Sequence, residues 1–114
     1  MLAVIFEVYP TAEGKAEYLD IAAELRGFLE NRDGFISIER FQSLSEAGKI
    51  LSLSFWRDED AIKEWRNLLE HRTAQRKGKE ALFRNYRIRV ANVVRDYSGT
   101  MRGEAPSDSK MALA

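Results

Sequence analysis

The amino-acid sequence predicts a single α+β domain in which a four-stranded antiparallel sheet carries two helices on one face. Three observations support this fold class. The chain has 114 residues, which suffice for one hydrophobic core. The spacing of its apolar residues changes along the chain between the two-residue period of strands and the three- to four-residue period of helices, in the order β-α-β-β-α-β. It also contains no cysteine, so a disulfide-stapled fold is excluded.

The first half of the chain predicts a strand, a helix and a hairpin. Residues 2–9 are rich in β-branched and aromatic side chains and end at Pro10, which predicts a strand. Thr11 is expected to cap the helix that follows and ends near Gly34. The apolar stripe of that helix is Tyr18, Ile21, Ala22, Leu25, Phe28 and Leu29. Residues 35–43 and 50–56 then predict two strands joined by a short loop.

The second half predicts a helix, a last strand and a tail. Asp58 is expected to cap the second helix. Its buried stripe is Ala61, Ile62, Trp65, Leu68, Leu69 and Arg72. A further helical piece is predicted over 73–83, weakened by Gly78, and residues 86–97 alternate as a strand does. The folded domain is therefore expected to span 1–97, and residues 98–114 to form a tail that is flexible or packed on a partner subunit.

This element order is that of a ferredoxin-like sandwich, with the first and last strands adjacent and the third beside the first. We expect the side chains facing the helices to be Leu2, Val4, Phe6, Val8, Ile36, Ile38, Leu51, Leu53 and Phe55. The opposite face would hold Ala3, Ile5, Glu7, Tyr9, Phe35, Ser37, Glu39, Phe41, Ser52, Ser54 and Trp56, with Arg87 and Arg89 near Glu7. Such a mixed aromatic and charged face is typical of an interface. We therefore predict a homodimer formed through the sheet faces, with Phe41 and Trp56 buried across it.

Several classes of function are excluded by the sequence. A single histidine and no cysteine exclude a histidine- or thiolate-rich metal site within one subunit. No glycine-rich phosphate loop or nucleophile elbow occurs. Residues 71–89 carry seven basic and one acidic side chain, but without a nucleic-acid-reading motif they indicate a solvated face, so no nucleic-acid partner is expected. Without a leader or an apolar run of about 20 residues, the expected location is the cytoplasm, with no membrane partner.

Four segments resemble a known family. They read GFISIERFQS, GKILSLSFWRDEDAIKEWR, EHRTAQ and YRIRVANVVRDY. Together they resemble the antibiotic biosynthesis monooxygenase domain of the dimeric α+β barrel superfamily, over about residues 2–97. The resemblance implies a ferredoxin-like fold, a homodimer whose sheets form a barrel, and a small pocket between helices and sheet in each subunit.

The family has two characterised branches. One oxidises polycyclic aromatic phenols with molecular oxygen and no metal or flavin, and there the substrate carbanion carries the chemistry. The other degrades haem with an asparagine on the first strand and a tryptophan and a histidine on the second helix. This chain has Trp65 and His71, but its first strand has no asparagine and the interval between Trp65 and His71 is shorter. The resemblance thus implies an oxygenase without a cofactor, with haem binding or degradation as the alternative.

Six residues are candidates for a site that would take a small hydrophobic or aromatic ligand. His71 is the natural proton-transfer group, because histidine changes its charge near neutral pH. Trp65 is expected to form a pocket wall whose indole N–H orients the ligand. The predicted substrate-binding residues are Tyr86 and Arg89, which could hold an oxyanion, together with Asn92 and Phe6. Alternatively, Trp65 is plain core, His71 is a surface residue near a helix end, and the pocket only binds a small molecule without catalysis.

Overall fold

A computed structural model describes residues 1–76 and 83–112 of the chain. The elements are β1 (Leu2–Pro10), α1 (Lys15–Leu29), β2 (Phe35–Gln42), β3 (Ile50–Trp56), α2 (Glu59–Arg76), β4 (Phe83–Asn92) and α3 (Ser107–Ala112). The order β-α-β-β-α-β confirms the predicted fold class. Residues 73–76 are helical as predicted, but they continue α2 instead of forming a second piece, and the predicted helical end at Phe83 is wrong because Phe83 opens β4. The rest of that prediction, including Gly78, lies outside the described residues.

The four strands form one antiparallel sheet in the order β2-β3-β1-β4. The first and last strands are therefore adjacent and the third lies beside the first, as predicted. Both long helices cover the same face of the sheet. The core between them consists of Val4, Phe6 and Val8 from β1, Ile50 and Trp56 from β3, Tyr18, Ile21, Leu25 and Leu29 from α1, and Ala61, Ile62, Trp65 and Leu69 from α2. The ferredoxin-like sandwich thus has one helix-covered face and one open face.

The predicted orientation of β3 is wrong. Leu2 pairs with Trp56 and Val4 with Ser54, so Ser52, Ser54 and Trp56 point to the helices with the even-numbered residues of β1. Leu51, Leu53 and Phe55 consequently lie on the open face. Trp56 is buried in the core and is not the interface residue that the sequence predicted. The reason is volume: the indoles of Trp56 and Trp65 pack in the core with ring centroids 6.1 Å apart, and Ser52 and Ser54 are the small side chains on that buried face of β3.

A register shift at the start of β2 corrects two further predictions. The pairing of β2 with β3 slips between Phe35 and Ser37. Because of this irregularity Phe35 packs against Trp56 on the helix side, with ring centroids 5.2 Å apart. Ile36, predicted to be core, is instead 52% exposed. Ile38 and the rest of the strand follow the predicted alternation, since Ile38 is buried and Phe41 lies on the open face opposite Leu51.

The two predicted helix caps have different outcomes. The Asp58 Oδ1 atom accepts the backbone N–H of Ala61 at 3.1 Å, which confirms Asp58 as the cap of α2. Thr11 does not cap α1 directly, because that helix begins four residues later at Lys15. The Thr11 Oγ1 atom accepts the N–H of Gly14 at 2.8 Å and so closes the turn that leads into the helix. Gly34, as predicted, provides the left-handed residue after α1, with φ of 86°.

The last strand begins earlier and ends earlier than the predicted range 86–97. Asn92 pairs with Leu2, the first residue of β1, and β4 has no other neighbour in the sheet. Past Asn92, the described residues continue this pairing by one backbone hydrogen bond, from the N–H of Val93 to the carbonyl of Met1 just before β1. The strand ends at Asn92 because its partner strand ends there.

The tail contains a short helix, α3, that the sequence did not predict. The described part of the tail is held by hydrogen bonds within it and by one from Asp96, which lies just before it. The Arg102 guanidinium donates to the carbonyl and the hydroxyl of Ser109, and the N–H of Asp96 donates to Glu104. Ala105, in the same segment, is buried. Packing of the tail on a partner subunit stays a prediction.

Candidate active site

Aromatic rings form a continuous cluster between the sheet and the helices. We call the group of Phe6, Trp65, Phe83 and Tyr86 the ring cluster. Phe6 lies at its centre, with ring centroids 6.0 Å from Trp65, 6.3 Å from Phe83 and 5.9 Å from Tyr86, all in edge-to-face geometry. Edge-to-face contacts of this kind each add about 0.5–1.5 kcal/mol to the burial of the rings. The cluster brings together Phe6, Trp65 and Tyr86, three of the six predicted site residues.

The ring cluster runs from the core to the surface. Phe6 and Trp65 are buried, Phe83 is half-buried, and Tyr86 is 56% exposed. Tyr86 pairs with Val8 and Ile88 with Phe6, so the side chains of β4 that share this face are Tyr86, Ile88, Val90 and, at the end of the strand, Asn92. All four are exposed, because α1 and α2 cover β1 and β3 more fully than the edge strand β4. A ligand ring reaching this cluster would therefore approach it at Tyr86.

The two tryptophans use their indole N–H groups differently. The Nε1–H of Trp56 donates to Ser54 Oγ at 2.8 Å, in the buried core. The Nε1–H of Trp65 donates to no atom of residues 1–76 or 83–112. That nitrogen is also not among the fully buried unpartnered polar atoms of the described residues, so the N–H is open to a group from outside them. The orienting role of Trp65 stays a prediction.

His71 lies on the exposed side of α2. It is six residues after Trp65, which places it about 9 Å further along the helix axis and about 120° away around it. No hydrogen bond, ion pair or ring contact within the described ranges involves His71. The structure thus does not bring His71 to the ring cluster. Its neighbour Arg72, by contrast, lies on the predicted stripe and places its guanidinium 5.1 Å from the ring centroid of Phe28.

Arg89 lies on the opposite face of the sheet from Tyr86. It pairs with Ile5 of β1, and its Nη1 atom is 3.0 Å from Glu7 Oε1. The other carboxylate oxygen of Glu7 is 3.2 Å from Lys49 Nζ. Sequence reasoning predicted an ion pair of Glu7 with Arg87 or Arg89 but missed Lys49, which the hairpin register places next to Glu7. The structure does not bring Arg89 together with Tyr86.

The charges around Glu7 shift its protonation. The hydrogen bond from Lys49, and the positive charges of Lys49 and Arg89, hold the pKa of the Glu7 carboxyl below its ordinary value. The same hydrogen bond raises the pKa of the Lys49 ammonium. Glu7 is thus a charged ion-pair partner on the open face. Its lowered pKa does not suit a general base, which needs a pKa near the working pH.

Asn92, the sixth candidate, lies at the end of β4 opposite Leu2 and is exposed. Within the described part of the chain, no three histidine, cysteine or carboxylate side chains cluster as metal ligands would. No helix there is both long and apolar enough to cross a membrane. The site geometry therefore consists of aromatic rings, one unpartnered indole N–H and one phenol.

Comparison with known proteins identifies the family. Residues 1–77 match the family model described as antibiotic biosynthesis monooxygenase. A protein of Pyricularia oryzae named jasmonate monooxygenase ABM is 48% identical over 93 residues, which are 82% of this chain and 43% of that protein. This chain therefore spans less than half of the length of that relative. The uncharacterised protein YqjZ of Bacillus subtilis is 34% identical over 94 residues, 82% of this chain and 79% of YqjZ.

A solved structure shows the same fold. The cofactor-independent oxygenase SnoaB of Streptomyces nogalater superposes with a TM-score of 0.65 over 83% of this chain and 94% of SnoaB, at 17% sequence identity. At that identity the likeness concerns the fold. The family model and the two relatives carry the assignment: this chain belongs to the antibiotic biosynthesis monooxygenase family.

Proposed function

We propose that this chain is a small oxygenase that acts on a hydrophobic, quinol- or phenol-like ring substrate without a bound metal or flavin. The observation that carries the proposal is the ring cluster, in which a buried tryptophan with a free N–H lies behind an exposed tyrosine. An aromatic surface with few polar groups is the usual lining of a small-molecule site. The cytoplasmic location stays a prediction from the sequence.

In this proposal the ring cluster holds the substrate and its oxygen. A substrate ring packs against Phe6 and Tyr86, and the N–H of Trp65 and the O–H of Tyr86 donate to the substrate oxygen. Both donors stabilise the negative charge that appears on that oxygen when an adjacent CH₂ group loses a proton. The carbanion then reacts with O₂. One oxygen atom replaces the two hydrogens of the CH₂ group as a carbonyl and the other leaves as water, so no external reductant is needed.

His71 is proposed as the proton acceptor for that first step. Because His71 does not contact the ring cluster, the role requires that the bound substrate or a water molecule bridge the gap. The roles predicted for Arg89 and Asn92 stay predictions, and the proposal does not depend on them. The alternative of haem binding is favoured by no observation: β1 contains no asparagine and His71 lies apart from the ring cluster.

A homodimer through the open face of the sheet is the proposed assembly. The corrected orientation of β3 puts Leu51, Leu53 and Phe55 on that face beside Ile5 and Phe41. The open face is therefore more apolar than the sequence predicted, which favours an interface. Sedimentation at micromolar concentration should give about twice the chain mass of 13.1 kDa. A monomer under those conditions would refute the proposed dimer.

The substrate class can be narrowed by two probes. Anthrone is the keto form of a tricyclic phenol with an acidic CH₂ group, and it represents the aromatic class. Jasmonate, an alicyclic ketone with a carboxylate, is included because the fungal relative is named for it. Uptake of O₂ with anthrone supports the proposed class, and uptake with jasmonate alone would replace it by an alicyclic one. Uptake with neither probe would count against the oxygenase.

Three variants connect turnover to the site. Trp65→Phe keeps a ring in the core but removes the N–H donor, and the loss of one such donor should lower kcat about tenfold or more. His71→Ala should lower kcat by about a hundredfold if His71 transfers the proton. Asn67→Ala, an exposed change on the same helix, is the matched control and should leave kcat unchanged. Turnover that is indifferent to Trp65→Phe would contradict the proposed site.

A further inference from the structure

A cavity lies at the end of the sheet, apart from the ring cluster. Its volume is about 360 Å³, and its lining residues are Pro10, Thr11, Ala12, Lys15, Ala47, Gly48, Ile50 and Arg84. These residues come from the end of β1, the start of α1, the loop between β2 and β3, and the start of β4. The volume lies within the range of small-molecule sites.

The cavity has positive charge without a matching negative one. Lys15 and Arg84 are its charged lining residues, and none of the eight lining residues is acidic. Within the described part of the chain, neither cation forms an ion pair with a carboxylate. The nearby Lys49 differs, because Glu7 already neutralises it at 3.2 Å. An anion entering the cavity would therefore meet two cations that are available to it.

Two neighbours lie close to the exposed side chain of Arg84. Its guanidinium carbon lies 6.0 Å from the centroid of the Tyr9 ring, which is the distance of a cation–π contact. On another side its Nη2 atom lies 3.4 Å from the point where a side chain at Gly48 would begin. Gly48 thus leaves room for the guanidinium at the rim of the cavity. An arginine held in this way loses less conformational freedom when it binds a carboxylate.

The other lining residues favour a ligand that has an apolar part. The apolar wall of the cavity consists of the lining residues Pro10, Ala12, Ala47 and Ile50. Inorganic phosphate would use the cations but leave this wall in contact with water, whereas a short aliphatic acid satisfies both. We propose that this cavity binds the carboxylate of a small amphipathic acid, with Arg84 and Lys15 on the carboxylate and the apolar wall on its chain. The inference does not rest on the proposed oxygenase activity.

Titration of the full chain with three probes, followed by NMR, tests the inference. Octanoate carries the carboxylate and the apolar chain, 1-octanol only the chain, and inorganic phosphate only the negative charge. Octanoate should bind at least about tenfold more tightly than either of the other probes, with shifts at the amides of residues 10–15 and 47–50. Equal affinity for 1-octanol would refute the role of the cations. Equal affinity for phosphate would refute the role of the apolar wall, and no binding of octanoate would refute the site.

Charge-removing variants locate the binding. Arg84→Gln and Lys15→Gln should each weaken octanoate about fivefold and leave 1-octanol unchanged, as expected for one partly exposed ion pair. Lys63→Gln and Arg66→Gln are matched controls on the exposed side of α2, outside the cavity. Similar losses in the controls would show that octanoate responds only to net charge. Because binding is measured directly, the result is independent of any failure to find oxygen uptake.

Discussion

Replacing Ser54 with alanine tests the orientation of β3, which the sequence did not predict. Ser54 is 1% exposed, and its hydroxyl accepts the indole N–H of Trp56 at 2.8 Å. Ser54→Ala removes that acceptor and leaves a buried N–H without a partner. A buried donor that is left without an acceptor lowers the free energy of unfolding by about 1–3 kcal/mol. We therefore expect the free energy of unfolding to fall by about 1–2 kcal/mol, with the midpoint of thermal unfolding several degrees lower.

Ser52 provides the matched control on the same strand. It points to the same face, is 2% exposed, and its hydroxyl bonds to no group within the described ranges. Ser52→Ala removes the same atom without stranding a donor, so its effect should stay within about 0.5 kcal/mol. Urea unfolding with a shared m-value measures both changes. In a Trp56→Phe background the Ser54→Ala penalty should disappear, because no indole N–H remains. Equal effects of the two serine changes in the native background would refute the reasoning.

Three further changes test other parts of the structure. Gly34→Ala should destabilise the protein by about 2 kcal/mol or more in urea unfolding, because φ is positive there and the new Cβ would lie 2.8 Å from that of Ala61; an unchanged midpoint would contradict this. Tyr18→Phe should leave the free energy of unfolding unchanged or raise it by up to about 1 kcal/mol, because its buried hydroxyl has no hydrogen-bond partner among residues 1–76 and 83–112, and a clear loss would contradict this. Glu7→Gln should destabilise at pH 7, where the carboxylate whose pKa Lys49 lowers is charged. In thermal unfolding, the stability difference between the native protein and Glu7→Gln should shrink as the pH falls from 4.5, the ordinary pKa of a glutamate, through the lowered pKa of Glu7. A stability difference that does not depend on pH would contradict the ion pair.

Much of the fold could be predicted because local signals agreed with tertiary structure. Pro10 ends β1, Asp58 caps α2 and Gly34 supplies the left-handed residue after α1. The orientation of β3 could not be predicted by counting apolar residues. In ILSLSFW one face carries Leu51, Leu53 and Phe55, and the other carries Ile50 and Trp56 with two serines. A strand with apolar residues on both faces gives no alternation signal, and only pairing with β1 decides its orientation.

The candidate site was predicted in part for equally specific reasons. Phe6, Trp65 and Tyr86 meet because each belongs to an apolar stripe whose direction the element order determines. The separation of Tyr86 from Arg89 follows from strand geometry, since residues an odd number apart point to opposite faces. The cavity at Lys15 and Arg84 combines three stretches that are distant in sequence, namely residues 10–15, residues 47–50 and Arg84. No local pattern marks such a site, so it required the structure.

Labelled oxygen tests the proposed oxygenase most directly. The protein, stripped of metal by chelation and free of added flavin, is given anthrone under ¹⁸O₂, and the product is analysed by mass spectrometry. The account predicts one labelled oxygen atom in the resulting quinone, formed at a rate that falls with Trp65→Phe and not with Asn67→Ala. A product without label, or turnover only after iron or flavin is added, would contradict the proposal that this chain oxidises its substrate without a cofactor.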